Sequence, residues 1–202
     1  MDFSAVSERP GNSPRSWCPT SPALDRPPHR PISRLSAHRG TTRLNILTIN
    51  LLFSTLVFGI AAKLYLMPAL SRLEPRSVVV PILLLHAMRH LGLMFLAPGA
   101  VFPGIPQQFT YPAALGDLLT AVLALIAILA VIRSSPLARP LVGLFNVVGT
   151  LDLVDAIFRA TIYDASPYMG PAYWIPAFWV PALLVTHFVV FVLLGRRWYG
   201  PM

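Results

Sequence analysis

Charged side chains are scarce in this sequence. They make up 12% of its 202 residues, whereas a soluble domain carries roughly 25%. Hydrophobic residues make up 55% and the mean hydropathy is +0.63. A wholly disordered chain is excluded, because disorder goes with low hydrophobicity. The composition therefore favours a multi-pass membrane protein.

Cysteine and lysine are almost absent. Cys18 is the only cysteine, which excludes an internal disulfide and a cysteine-based metal site. The net charge of +8 comes from 15 arginines and Lys63 against eight acidic residues. These arginines lack the interleaved aromatic residues that stack on bases, so no nucleic-acid partner is predicted. The GxSxG, Walker A and GxGxxG signatures of soluble enzymes are also missing.

The first 43 residues differ from the rest of the chain. They hold seven arginines and seven prolines without a long apolar run, so they cannot bury enough surface to offset the entropy of ordering. We predict a disordered tail over 1–43 and a membrane domain over 44–202. A secretory signal is not predicted, since the early apolar run is missing. A transit peptide and an over-extended gene start both stay open.

Five apolar stretches follow the tail, and each approaches the roughly 20 residues that cross a bilayer. Because a spanning segment must satisfy its own backbone hydrogen bonds, all five are predicted to be helices. The sequence therefore predicts an all-α membrane bundle. Its predicted spans are 44–66, 78–97, 113–132, 141–160 and 173–195.

Arginines mark one face of this predicted bundle. With five spans, the connection after the first helix, the connection after the third and the C-terminus lie on the same side. These segments carry Arg72, Arg76, Arg133, Arg139, Arg196 and Arg197. The positive-inside rule makes this side cytoplasmic. The tail would then place seven arginines outside, a conflict that an over-extended start or a non-spanning first segment would remove.

Ionisable residues at membrane depth are expensive and by default indicate function. In the second span His86, Arg89 and His90 are spaced i, i+3 and i+4, which predicts one shared helical face. The other candidates, one or two in each later span, are Asp117, Asp152, Asp155 and His187. Counting the rise per residue places the acidic residues in the same outer half as Arg89.

Three interpretations of these residues stay open. Arg89 could pair with Asp117 or Asp152 and hold helices together, with Asp155 pairing Arg159 one turn on. The cluster could instead bind a ligand or carry protons or ions. His86 and His90 have the spacing of a two-histidine metal pair, with His187 as a third ligand. No Cys or Glu lies beside them and HExxH is absent, so neither a metal nor a cofactor is predicted.

Several runs of the sequence resemble a group of small uncharacterised bacterial multi-pass membrane proteins. The shared pattern is an Arg in an early helix, a Gly-x-Asp-like element opening the next, and a Trp-Pro…Val-Pro…His series in the last. The resemblance covers about residues 80–195 and implies a bacterial inner-membrane location, but it brings no activity. The matching residues are Arg89, Gly116, Asp117, Trp174, Pro176, Val180, Pro181 and His187.

We therefore predict an integral membrane protein whose mid-membrane polar cluster binds a small ligand or a partner helix, in an accessory rather than an enzymatic role. A proton-coupled carrier or channel subunit is one alternative, and with so few spans it would need to oligomerise. A membrane enzyme acting on lipid or quinone, with His as base and Asp as orienting group, is the other. The predicted partners are the lipid bilayer and a second copy or another membrane protein.

Overall fold

The computed structural model describes residues 46–195, so the predicted tail at 1–43 and the C-terminal arginines lie outside the described residues. Within this range the regular elements are all helical and none is a strand, which confirms the predicted all-α class. Between residues 46 and 195, five helices are long and apolar enough to cross a membrane. They are α1 (Ile46–Arg72), α2 (Pro75–Leu96), α3 (Gln107–Ile132), α4 (Ala138–Ile162) and α5 (Gly170–Gly195).

The helices extend beyond several of the predicted spans because prolines are tolerated near helix starts. Pro75 is the first residue of α2, where its missing N–H costs nothing. In α3, Pro112 is the sixth residue. The prediction began this span after Pro112, whereas the helix begins at Gln107. A proline at this position leaves the carbonyl of Gln108, four residues earlier, without its helical donor.

An arginine of the next helix supplies that donor. Arg159 Nη1 donates to the Gln108 carbonyl at 3.3 Å, and Arg159 Nε donates to Asp155 Oδ2 at 2.5 Å. Freed backbone groups at membrane depth need such replacement partners. Arg159 therefore links α4 to the first turns of α3, where Pro112 removes a helical hydrogen bond.

This arrangement predicts coupling between Arg159 and Pro112. With Pro112→Ala, the new N–H can bond Gln108, so Arg159 is no longer needed there. We expect Arg159→Gln to lower the free energy of unfolding by less in the Pro112→Ala background than in the wild type. A double-mutant cycle in mixed detergent micelles measures the difference, and the Asp155 contribution cancels in it. Equal costs in the two backgrounds would contradict the interpretation.

Two other prolines follow widened helical turns. A π-helical stretch at Ala62–Leu66 precedes Pro68 in α1, and another at Ile175–Trp179 precedes Pro181 in α5. A proline clashes with the carbonyl four residues before it, and a wider turn accommodates this clash. In α5 the π-helical stretch ends two residues before Pro181.

The connections define two ends of the bundle. At one, which we call the basic end, Arg76 Nη1 donates to Ser134 Oγ at 2.7 Å and links the start of α2 to the α3–α4 connection. At the other, the cap end, the α2–α3 and α4–α5 connections pair through their backbones. Phe102 N–H donates to the Tyr168 carbonyl at 2.9 Å. These paired segments form a cap over the helices beneath them.

The apolar core is divided into two clusters. The basic-end cluster includes Leu83, Val142 and Val190, and the cap-end cluster includes Phe109 and Leu153. Helix α3 packs between α2 and α4, while α1 packs mainly on α5. Helix α1 is the least buried, with 11% of its most apolar stretch buried against 28–44% for the others. The division of the core positions the candidate site, because polar residues occupy the space between the clusters.

Candidate functional site

A layer of polar side chains lies between the two apolar clusters. Helices α2, α3, α4 and α5 each contribute polar residues to it. On each helix these residues lie between the part that packs in the basic-end cluster and the part that packs in the cap-end cluster. In α2, for example, Leu83 belongs to the basic-end cluster and Phe95 to the cap-end cluster, with the polar residues between them. The members of this polar layer are His86, Arg89, Asp117, Thr120, Asn146, Asp152, Thr186 and His187.

Arg89 is the centre of the layer. Its side chain is fully buried and bonds to two other helices. Arg89 Nε donates to Asp117 Oδ1 at 2.7 Å, Nη2 donates to Asp152 Oδ2, and Nη1 donates to the Gly149 carbonyl at 3.1 Å. The planar guanidinium holds its donors in a fixed fork, so these contacts fix the mutual positions of α2, α3 and α4.

His187 faces the same guanidinium as a neutral acceptor. Asn146 Nδ2 donates to the His187 carbonyl at 3.3 Å, which turns Asn146 Oδ1 toward the ring at 2.7 Å from Nδ1. Nδ1 must therefore carry the ring proton. Nε2 is left with its lone pair facing Arg89 Nη1 at 3.4 Å. Asn146 thus selects the uncharged tautomer that tolerates a neighbouring cation.

The ring of His86 packs against the ring of His187. The ring centroids are 4.2 Å apart, and His86 Nε2 lies 3.0 Å from Thr186 Oγ1. The Thr186 hydroxyl has its own acceptor in the Ala182 carbonyl at 2.9 Å, so it accepts from His86 Nε2. His86 Nδ1 then holds a lone pair, and among the described residues it has no hydrogen-bond partner.

Three glycines let the polar groups approach the neighbouring helices. A Cβ on Gly92 would overlap the Asp117 carboxylate, and one on Gly116 would overlap that of Asp152. A Cβ on Gly149 would lie 2.7 Å from His187 Cε1. Small residues permit close approach between membrane helices. In this bundle each of the three leaves room for a side chain of the polar layer.

A cavity of about 370 Å³ adjoins the layer on the side of the cap. Residues from all five helices line it, together with Met169 of the cap. The lining is almost wholly apolar, and Asp117 is the one charged residue in it. Its side chain is 14% exposed, whereas that of Arg89 is fully buried. The cavity therefore reaches the ion-pair network through one carboxylate, in the manner of ligand sites that combine apolar walls with a few polar groups.

A second, more open groove lies between α1 and α5. Its lining is apolar except for Thr55 and Lys63, and it includes Gly59 and Phe188. No member of the buried polar layer lines this groove. The first cavity is therefore the candidate functional site.

Two of the predicted site residues lie elsewhere. His90 is exposed and its Nδ1 lies 3.1 Å from the Ala87 carbonyl. The expectation that it shares a face with His86 and Arg89 is wrong, because α2 tightens to a 3₁₀ helix from Met88 and turns about 120° per residue there. Asp155 also lies outside the layer, partly exposed and paired with Arg159.

This displacement also separates the three histidines that the metal interpretation required. His86 and His187 lie together, whereas His90 points away from them. Within residues 46–195, no three His, Cys, Asp or Glu side chains are grouped to hold a metal ion. The layer is built instead around the Arg89 guanidinium.

Asn146 and Thr186 were not among the predicted site residues. Both are polar residues near the middle of an apolar span, which was the available signal. Their role depends on which ring each one meets across the helix interface, since Asn146 orients His187 and Thr186 orients His86. Spacing along one helix does not contain that information.

The fold and site together define a bundle of five membrane-length helices with a buried ion-pair layer and an adjoining apolar cavity. Residues 46–195 match the model of a family described as a domain of unknown function (DUF8737), and the chain belongs to that family. No curated protein and no solved structure matches the chain. The function must therefore be argued from the site.

Proposed function

We propose that this chain is a multi-pass protein of a bacterial inner membrane that binds a small amphiphile in the cavity beside Asp117. The observation that carries the proposal is an apolar cavity of about 370 Å³ with a single charged group in its wall. Pockets for small ligands occupy about 300–1,000 Å³ and combine apolar walls with a few polar groups. An ionisable residue at membrane depth is also a functional candidate by default.

The location rests on charge and on resemblance. The basic end carries Arg72, Arg76, Arg133 and Arg139 in or within two residues of its connections, and the positive-inside rule favours the cytoplasm for that end. The cap, and with it the side nearer the cavity, then faces the outside. The assignment to a bacterial inner membrane is based on the resemblance to small bacterial multi-pass proteins.

The apolar packing between the polar layer and the basic end favours binding over proton-coupled transport. Toward the basic end, Leu83, Val131 and Val142 are at most 1% exposed and belong to one continuous apolar cluster. A carrier needs a polar route from the layer to that end as well. Close apolar packing separates the layer from the basic end instead, which favours a binding protein.

Catalysis by histidine is likewise not favoured by the geometry. Neither His86 nor His187 lines the cavity, and one nitrogen of each ring is bonded to a neighbouring side chain, Thr186 for His86 and Asn146 for His187. A general base must come within hydrogen-bond reach of the proton that it removes. The side chain that a ligand meets is Asp117.

Filling the cavity is the direct test of the proposal. Ala156 lines it, while Val154, two residues earlier on α4, is exposed on the outer surface. In zwitterionic lipid nanodiscs, a photoreactive decanol analogue is expected to label the wild type and the matched control Val154→Phe saturably. Ala156→Phe should reduce the yield at least about tenfold, because the ring occupies the site. Equal labelling of both variants would contradict a cavity site.

A further inference from the structure

We propose that the ligand of this cavity is an organic amine, bound as an ammonium ion against Asp117, with a short apolar chain in the rest of the cavity. This inference rests on the proposed function, since it names the chemical class that the same cavity would take. It starts from the charge balance of the buried layer.

The layer holds more negative than positive groups. Arg89 is its one cation among the described residues, and it is shared by two carboxylates, Asp117 and Asp152. His187 faces the guanidinium as a neutral ring, and His86 bonds a hydroxyl. The nearest other charges, Asp155 and Arg159, compensate each other in a pair of their own. With both carboxylates ionised the layer has a net charge of −1, which is costly at membrane depth unless a further cation compensates it.

The carboxylate that lines the cavity has an acceptor oxygen to spare. Asp117 Oδ1 accepts from Arg89 Nε, whereas Oδ2 accepts no hydrogen bond from any described residue. An ammonium group carries three donors and would bond this oxygen while supplying the missing positive charge. Its charge and its donors therefore match the one charged residue in the lining of the cavity.

The same geometry disfavours an anionic head group. The Arg89 side chain is fully buried behind Asp117 and does not line the cavity. An acidic ligand would meet the Asp117 carboxylate before any cation, and like charges at contact repel in a low-dielectric site. A neutral alcohol can bond the carboxylate but leaves the charge uncompensated.

The length of the cavity limits the apolar part of the ligand. On α3 its lining runs from Phe109 to Asp117, and on α4 it runs from Leu153 to Thr161. Each stretch has nine residues, so its two ends are roughly 12 Å apart at 1.5 Å per residue. The cap residue Met169 lines the cavity as well. A chain of about this length fits beside Asp117, and we take decylamine as the probe.

Competition among three probes of equal chain length tests the inference. Decylamine, decanol and decanoic acid compete with the photoreactive decanol analogue in zwitterionic nanodiscs, at amounts expressed as mole fraction in the bilayer. The wild type should prefer decylamine over decanol by about tenfold, the effect of one added charge-assisted hydrogen bond, and should bind decanoic acid weakest. In Asp117→Asn the amine preference should fall to within about twofold of decanol.

The outcomes separate this inference from the proposed function. If all three probes compete equally, or the acid competes best, the amine inference is overturned while the cavity still binds amphiphiles. If the decanol analogue does not label saturably at all, both fall together. Thermal unfolding of Asp117→Asn verifies that the variant is folded, and the ranking in the wild type does not depend on any variant.

Discussion

Replacing Arg89 by glutamine is expected to cost more stability than any other single substitution in the polar layer. The guanidinium serves both Asp117 and Asp152, so its loss leaves two buried carboxylates without a cation. Removing one partner of a buried ion pair lowers the free energy of unfolding by about 3–5 kcal/mol. We expect a loss of this size in the free energy of unfolding, measured by denaturation in mixed detergent micelles.

The matched experiment removes all three charges together. Arg89→Gln combined with Asp117→Asn and Asp152→Asn retains the shapes of the carboxylates but leaves no uncompensated charge. This triple variant should recover more than half of the stability that Arg89→Gln loses, because neutral replacement of a complete buried network costs little. If Arg89→Gln unfolds like the wild type, or if the triple variant is no more stable than the single one, the ion-pair account is wrong.

A single methyl group on Gly149 is expected to disrupt the layer from the side of α4. The added Cβ would lie 2.7 Å from both His187 Cε1 and Thr120 Cγ2, so α4 must move away from α5 and α3. This movement also strains the hydrogen bond between Asn146 Oδ1 and His187 Nδ1 and the bond from Arg89 to the Gly149 carbonyl. Overpacking of this kind costs about 1–3 kcal/mol.

The same helix provides the control. Gly143 lies six residues before Gly149, and a Cβ there would meet nothing within 4 Å. Gly143→Ala should leave the free energy of unfolding unchanged or raise it by up to about 1 kcal/mol, as alanine is the better helix former. If the Gly149→Ala variant is as stable as the Gly143→Ala variant, the close approach of His187 to Gly149 does not contribute to stability.

The fold could be predicted from the sequence because it depends on properties that each segment carries alone. Apolar length predicts five helices whatever their neighbours are. The boundaries were less accurate where a proline was interpreted as a stop. At Pro112 the helix continues through the proline, because Arg159 of another helix replaces the missing donor, and such a partner is visible only after folding.

The candidate site was predicted less completely, for a similar reason. Counting the rise along each span places Arg89 and Asp117 in the same half of the membrane, and they are in contact. The count assumes regular helices, so it failed for His90 where α2 tightens. The role of Gly149 was not predictable either, because it depends on His187 and Thr120 of the neighbouring helices. The cavity is the least predictable feature, since it is defined by space that five separate segments leave empty.

The most direct test of the account is to locate the covalent adducts of a photoreactive decylamine on the protein by peptide mass spectrometry. The account predicts saturable adducts within 153–161 of α4 and 169–180 around the cap, which line the cavity beside Asp117. These adducts should disappear in Ala156→Phe and persist in Val154→Phe. Adducts spread over the outward-facing residues of the helices, unchanged by Ala156→Phe, would contradict the claim that this cavity binds a ligand.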